Sequence, residues 1–255
     1  MGIKNMILGN AILQPVYKAL FKLGAKGMNY DRGQVLENSG EGYVLRYIAA
    51  KLNGPVTVFD VGANKGQYAS MALKILRPPF TLYSFEPQKI AFALLKDITH
   101  TPNFKPFNMG LGSEKKQETL YNQDDGSVFA SVVKTSHDHV AQDRVKKETI
   151  ELSTIDIFCS EHQIPAIDFL KIDVEGYEIE VLTGAKNMIA AGNIPYIQFE
   201  FGVASIEARI FMKDFFKILS GYTIHRVLPN SLVKLENYSE YLELFLTTNY
   251  LAIKN

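Results

Sequence analysis

An α/β fold with a mostly parallel sheet is predicted for these 255 residues by three observations. Apolar, β-rich runs alternate along the chain with segments of helical periodicity, the order that produces a sheet covered on both faces. Several of the runs stop at an acid: Asp60, Glu86, Asp173 and Glu200. The first run breaks into a two-glycine turn, Gly62-Ala63-Asn64-Lys65-Gly66, where the glycines let the next helix start close against the strand.

Taken in order, residues 1–30 read as a helical extension with Lys18, Lys22 and Lys26 on one stripe and Val16, Leu20 and Leu23 toward another. This helix is expected to pack on the body with its lysines in solvent; three lysines are few for docking on a membrane surface, which is not expected. The pattern Val44, Leu45, Ile48, Ala49, Leu52 predicts a second helix ending before Gly54-Pro55. The organisation is thus an N-terminal helical extension over 1–53 and one domain over 54–255. Strands are predicted near 56–61, 80–86, 104–109, 167–173, 195–201, 221–227 and 243–249. Helices are predicted near 65–76, 88–97, 154–162, 177–191 and 205–219, with Gly192 and Gly221 marking two helix ends. The polar stretch 112–149 interrupts this alternation and is expected to hold short antiparallel strands and a mobile loop near the ligand.

A hydrophobic content of 47% suffices for a large core. Balanced charge, 27 acids against 27 bases, gives no footprint for a nucleic-acid partner. The single cysteine, Cys159, cannot form an internal disulfide and reads as a buried bystander in a reducing compartment. With no signal-peptide pattern and no run near the ~18 apolar residues of a membrane span, a cytoplasmic location is expected. Met6 stands where a myristoylation signal wants Ser or Thr, and the sequon Asn237-Tyr238-Ser239 reads as chance.

The glycine spacing, G-x-x-x-G, is neither that of a dinucleotide site nor that of a phosphate-wrapping loop. An acid ending the first strand suits a cationic, phosphate-free cofactor such as S-adenosylmethionine better than a pyrophosphate. Glu86, ending the second strand, can accept hydrogen bonds from both hydroxyls of a ribose. Parallel strands direct their carboxyl ends at one crevice, so Asp60, Glu86, Asp173 and Glu175 should converge there. Asp173 and Glu175 are expected to face the methyl-donor end or the acceptor, while Glu178 favours a helix N-terminus. Glu200 and His225 are candidates for the base that takes a proton from a hydroxyl acceptor. An acidic rim of Asp173, Glu175 and Glu200 would suit Mg²⁺, but no metal is expected. His137, Asp138 and His139 read as a solvated loop rather than as ligands.

These residues together resemble the FkbM family of S-adenosylmethionine-dependent methyltransferases. The resemblance runs over about 38–250. It rests on Ser39-Gly40-Glu41, Phe59-Asp60-Val61-Gly62-Ala63-Asn64-Lys65-Gly66, Phe85-Glu86-Pro87, Asn108-Met109-Gly110-Leu111-Gly112, Thr154-Ile155-Asp156 and Leu170-Lys171-Ile172-Asp173-Val174-Glu175-Gly176-Tyr177-Glu178. Ile155 departs conservatively from the usual leucine. The resemblance implies a class I methyltransferase fold, a Rossmann-like three-layer sandwich whose seven-stranded sheet has an antiparallel last strand. It implies O-methylation of a hydroxyl on a sugar, glycan or natural product, with a small-molecule or glycan acceptor as partner. By the family pattern Asp60, Gly62, Asn64 and Gly66 shape the methionine end, Glu86 holds the ribose and Asn108 lies near the adenine. Glu41, Ala63, Pro87 and Gly110, in the same motifs, join the cofactor site, and Asp173 and Glu175 border the transferred methyl. Two other readings remain at this point: a scaffold that kept the fold without turnover, and an NAD-dependent oxidoreductase, which lacks the third glycine it needs.

Overall fold

The computed structural model describes residues 8–33, 38–77, 79–122 and 146–255. His137, Asp138, His139 and the loop expected within 112–149 lie outside the described residues.

An eight-stranded sheet organises the chain in the order β10-β9-β11-β8-β7-β1-β2-β3. Its strands are β1 (Val56–Val61), β2 (Phe80–Phe85), β3 (Phe104–Phe107), β7 (Phe169–Ile172), β8 (Tyr196–Phe201), β9 (Tyr222–Val227), β10 (Leu232–Lys234) and β11 (Thr248–Lys254). The run from β3 to β8 is parallel, and β11 inserts antiparallel between β8 and β9. This is the expected class I sheet plus one edge strand: β10 folds back on β9, a hairpin too short to be legible as a strand. Residues 58–61 of β1 are all buried, their alternate side chains facing two different layers. Phe59 and Val61 join the larger core, while Val58 packs with Val44, Leu45, Ile48 and Phe169.

A second sheet, β4 (Gly110–Leu111), β6 (Lys146–Ser153) and β5 (Lys116–Asn122), supplies the antiparallel strands expected in 112–149. Leu120, Ile150 and Leu152 form a small core of their own there, with Tyr177 against it.

The helices are α1 (Gln14–Gly27), α2 (Glu41–Lys51), α3 (Gln67–Ile75), α4 (Lys89–Lys96), α5 (Ile155–Glu161), α6 (Glu178–Thr183), α7 (Lys186–Ala190), α8 (Ala204–Ala208) and α9 (Met212–Ile218). The single helix expected over 177–191 is two. Gly184 sits where a Cβ would overlap the Gly112 carbonyl, and the Asp156 carboxylate accepts from Asn187 N and Met188 N to start α7 afresh. Likewise 205–219 breaks at Arg209, which adopts a left-handed φ of 56°. The last strand lies about five residues later than expected, because Glu243 accepts from Met212 N (2.8 Å) and Lys213 N (3.1 Å) at the start of α9. That contact keeps 243–247 out of the sheet.

The expectation that α1 packs on the body fails. Ala25 is its one buried residue, and Val16, Leu20 and Leu23 are exposed. The second predicted helix, α2, does join the body, through Val44, Leu45 and Ile48. No helix among the described residues is long and apolar enough to cross a membrane.

Candidate active site

Strand order reverses between β1 and β7, and the carboxyl ends of these strands open a crevice there. A cavity of 530 Å³ occupies it. Its floor is the turn after β1. Gly62, at φ 81°, has no room for a Cβ, which would overlap the Asp173 carbonyl oxygen. Gly62→Ala should therefore push β1 and β7 apart; we expect a variant that is destabilised by about 3 kcal/mol or more in urea melts, or insoluble.

Glu86 lines the cavity from the end of β2. It accepts from Asn64 N (2.8 Å) on one oxygen and from Gln88 N (2.7 Å) on the other. Each oxygen keeps a second lone pair for a ligand hydroxyl. Asn108 does not line the cavity; its Nδ2 donates to the carbonyls of Glu86 and Pro87 (2.9 and 3.0 Å) and so holds the loop that presents Glu86. Gly66 is also outside the lining, as the left-handed cap of α3.

On the opposite side, Lys171 is buried with its Nζ 3.3 Å from both Asp60 Oδ1 and Asp173 Oδ2, and it stands 5.0 Å over the ring of Tyr68. Asp60 and Lys171 face one another in the β1–β7 register. Burial opposes the lysine's charge, but Asp173, Asp60 and Glu41 outweigh it and hold Lys171 above its ordinary range. This corrects the expectation that Asp60 meets the cofactor. Asp60 is fully buried and absent from the lining, and its charge is answered by Lys171, which does reach the cavity.

Asp173, Glu175 and Glu200 each bring a carboxylate oxygen to within 4.8 Å of the others. Glu175 holds a left-handed φ of 53°, an uncommon cost for a non-glycine residue that marks a constrained site. Burial and then Asp173 raise both Glu175 and Glu200 above the ordinary carboxylate range. The spacing suits an oxygen-ligated cation, although Asp173 already has Lys171 as counter-charge. Glu178 stays structural, accepting from Val174 N and Gly176 N (3.1 and 3.2 Å). His225 is not in the lining; it sits in β9 opposite Leu251 with its Nδ1 3.1 Å from the Thr223 carbonyl, so a role as base has no geometric support.

Glu41, Glu86 and Glu178 are each lifted from 4.5 to about 7, burial being the largest cause. An acid raised on folding stabilises the fold while it keeps its proton. That contribution is complete below 4.5 and is lost as pH rises through 7. The ligand-free protein should thus melt several degrees lower in mildly alkaline than in mildly acid buffer, a shift that scanning calorimetry would read.

The cavity fits an adenosyl-amino-acid ligand on two further counts. Tyr68 is 4% exposed, lines the cavity, and its hydroxyl has no hydrogen-bond partner among the described residues. The roof, Leu120, Ile150, Leu152 and Tyr177, offers an apolar face for a flat base.

A family model described as the methyltransferase FkbM domain matches residues 60–232. The chain belongs to the FkbM methyltransferase family. It is 27% identical over 186 residues to the hexuronic acid methyltransferase AglP of Haloferax volcanii, covering 71% of this chain and 68% of that protein. It is 24% identical over 167 residues to the 2-O-methyltransferase NoeI of Sinorhizobium fredii, covering 61% and 68%. Among solved structures it is similar to the plantazolicin methyltransferase BamL bound to SAH (TM-score 0.49, 10% identity, 94% of this chain and 90% of that one). It is also similar to a SAM-dependent methyltransferase of Aquifex aeolicus (TM-score 0.47, 12% identity, 93% and 98%).

The FkbM chain is an S-adenosylmethionine-dependent methyltransferase. Of the residues assigned to the cofactor from sequence, Glu41, Gly62, Ala63, Asn64, Glu86, Pro87, Gly110 and Asp173 line the cavity. Lys171, Tyr68, Tyr177 and the roof are lining residues that sequence reasoning missed. A lysine inside an apolar strand, two residues before the strand-end acid Asp173 and so on the same face, was the available signal for the first of them.

Proposed function

We propose that this FkbM methyltransferase methylates a hydroxyl of a neutral sugar or glycan. The observation that carries the reading is the acid excess of the cavity: among the described residues Glu41, Glu86, Asp173, Glu175 and Glu200 line it against one cation, Lys171. Such a field favours a cationic donor and disfavours an anionic acceptor. AglP and NoeI, by their names a hexuronic acid and a 2-O-methyltransferase, support a sugar hydroxyl, and the acid excess argues for the uncharged kind. Balanced charge over the whole chain gives a nucleic acid no purchase.

S-adenosylmethionine, when bound, supplies a methyl group activated by a positively charged sulfur. The chain's part is positioning and proton handling. Glu86 would accept from the ribose hydroxyls, the backbone of Gly62 and Ala63 would let the ligand lie close, and Lys171 with the Tyr68 hydroxyl would donate to the amino-acid carboxylate. Glu175 and Glu200 lie close to Asp173 and to one another, which disfavours ionising both, and the stronger upward push on Glu200 leaves Glu175 the readier to ionise. The ionised member takes the proton of the acceptor hydroxyl. This reading is metal-free, with Lys171 answering Asp173. A cytoplasmic enzyme accords with the buried free thiol of Cys159.

The test is methyl transfer in the presence of a chelator, followed by mass spectrometry, to matched neutral and uronic glycosides. Methylation of the neutral series is expected, with Glu175→Gln lowering kcat by about 10²–10⁴ and leaving S-adenosylhomocysteine binding intact. Transfer to uronosides alone, or transfer abolished by the chelator, would overturn the reading.

A further inference from the structure

Half of the large hydrophobic side chains exposed among the described residues, seven of fourteen, fall within 8–28. Ile12 is 85% and Leu23 70% exposed, with Val16, Leu20 and Phe21 each above half. At about 100° per residue, Val16, Leu20 and Leu23 occupy one arc of α1, and Ala25, its one buried residue, points nearly the opposite way. The apolar arc therefore faces away from the body. Lys18, Lys22 and Lys26 lie on the polar side of the helix, in a stripe that begins beside Ala25 and ends at Lys26, about 90° from the centre of the arc, and residues 1–30 contain four lysines and no acid.

The helix is not loosely tethered. Directly after it, Asn29 Nδ2 donates to the Val227 carbonyl (3.0 Å), Arg226 Nη1 donates to the Tyr30 hydroxyl (3.0 Å), and Gly33 N donates to the Thr247 carbonyl (3.1 Å). Gly33 is also part of the cavity lining. The apolar arc is thus held out from a fixed point close to the cavity mouth.

We propose that α1 docks this protein on an anionic phospholipid surface, with Val16, Leu20 and Leu23 entering the headgroup–acyl boundary and the lysine stripe meeting lipid phosphates. An apolar arc exposed among the described residues, on a helix whose polar side carries lysines, is the interfacial pattern. It lies on the membrane and does not cross it, as α1 has 14 residues. A second copy is the poorer occupant: residues 1–30 of each copy carry four lysines and no acid, so pairing the two segments sets like charge beside like charge with no acid of either segment to offset it.

The test is co-sedimentation of the full chain with vesicles of phosphatidylcholine alone and of phosphatidylcholine with phosphatidylglycerol. Binding is expected only to the anionic vesicles, weakening with salt. Replacing Lys18, Lys22 and Lys26 together by Gln should lower partitioning roughly 100-fold. Leu20→Ser with Leu23→Ser should lower it at least about tenfold. Both variants should keep the wild-type melting temperature and S-adenosylhomocysteine affinity, since neither site touches the core or the cavity. No binding to anionic vesicles, equal binding to both compositions, or a dimer in solution that the leucine substitutions convert to monomer would each overturn the proposal.

Discussion

Lys171→Met is expected to be the most damaging single substitution at the site. The side chain is 3% exposed and its ammonium is shared by Asp60 and Asp173. Methionine fills the space but leaves the fully buried Asp60 facing an apolar group across the β1–β7 register. Breaking a buried pair in this way costs about 3–5 kcal/mol, and for a chain of this size that is a fall of roughly 10 °C in melting temperature. The loss should be smaller in mildly acid buffer, where Asp60 can take up a proton, and larger in alkaline buffer. Asp60→Asn added to Lys171→Met should recover part of it. A melting temperature within a degree or two of wild type at alkaline pH would mean that the ion pair contributes little to the fold.

The second large effect concerns binding. Glu86→Gln should weaken S-adenosylhomocysteine binding by about 100-fold, because hydrogen bonds from ribose hydroxyls to a carboxylate are worth about 1.5–3 kcal/mol each. Glutamine is the informative replacement. Alanine would orphan both Asn64 N and Gln88 N, whereas the amide oxygen of glutamine keeps one of them satisfied. One unpaired buried N–H costs about 1–3 kcal/mol, so a fall of several degrees in melting temperature should accompany the loss of affinity. A variant that binds as wild type does would remove Glu86 from the cofactor site.

Much of this site was legible in the chain because its parts are strand ends. An apolar run that halts at an acid fixes both an element boundary and the side of the sheet on which the acid appears, and Glu86, Asp173, Glu175 and Glu200 all fell at the cavity for that reason. The errors have a common origin in contacts between distant segments. Asp60 looked like a cofactor ligand until Lys171, 111 residues on, was found opposite it in register. Asn108 turned out to brace the Glu86 loop instead of facing adenine. His225 had the right residue type and the right strand but stands in β9, two strands beyond β8. Breaks at Gly184 and before β11 depend on the Gly112 carbonyl and on Glu243, which no local periodicity encodes. The exposed face of α1 was misjudged for the opposite reason: its pattern is that of a packed helix, and only the fold reveals that its apolar arc stands exposed among the described residues.

The most direct measurement of the central claim, that this acid-lined cavity is the S-adenosylmethionine site, is calorimetric titration of the wild-type protein with S-adenosylhomocysteine near neutral pH in two buffers of different ionisation enthalpy. Glu86 is lifted to about 7 by burial and must be ionised to accept from both ribose hydroxyls. One-to-one binding with an apparent enthalpy that differs between the buffers, in the direction of proton release, is the expected result. Folded protein that does not bind, or that binds with no proton exchanged, would contradict the account.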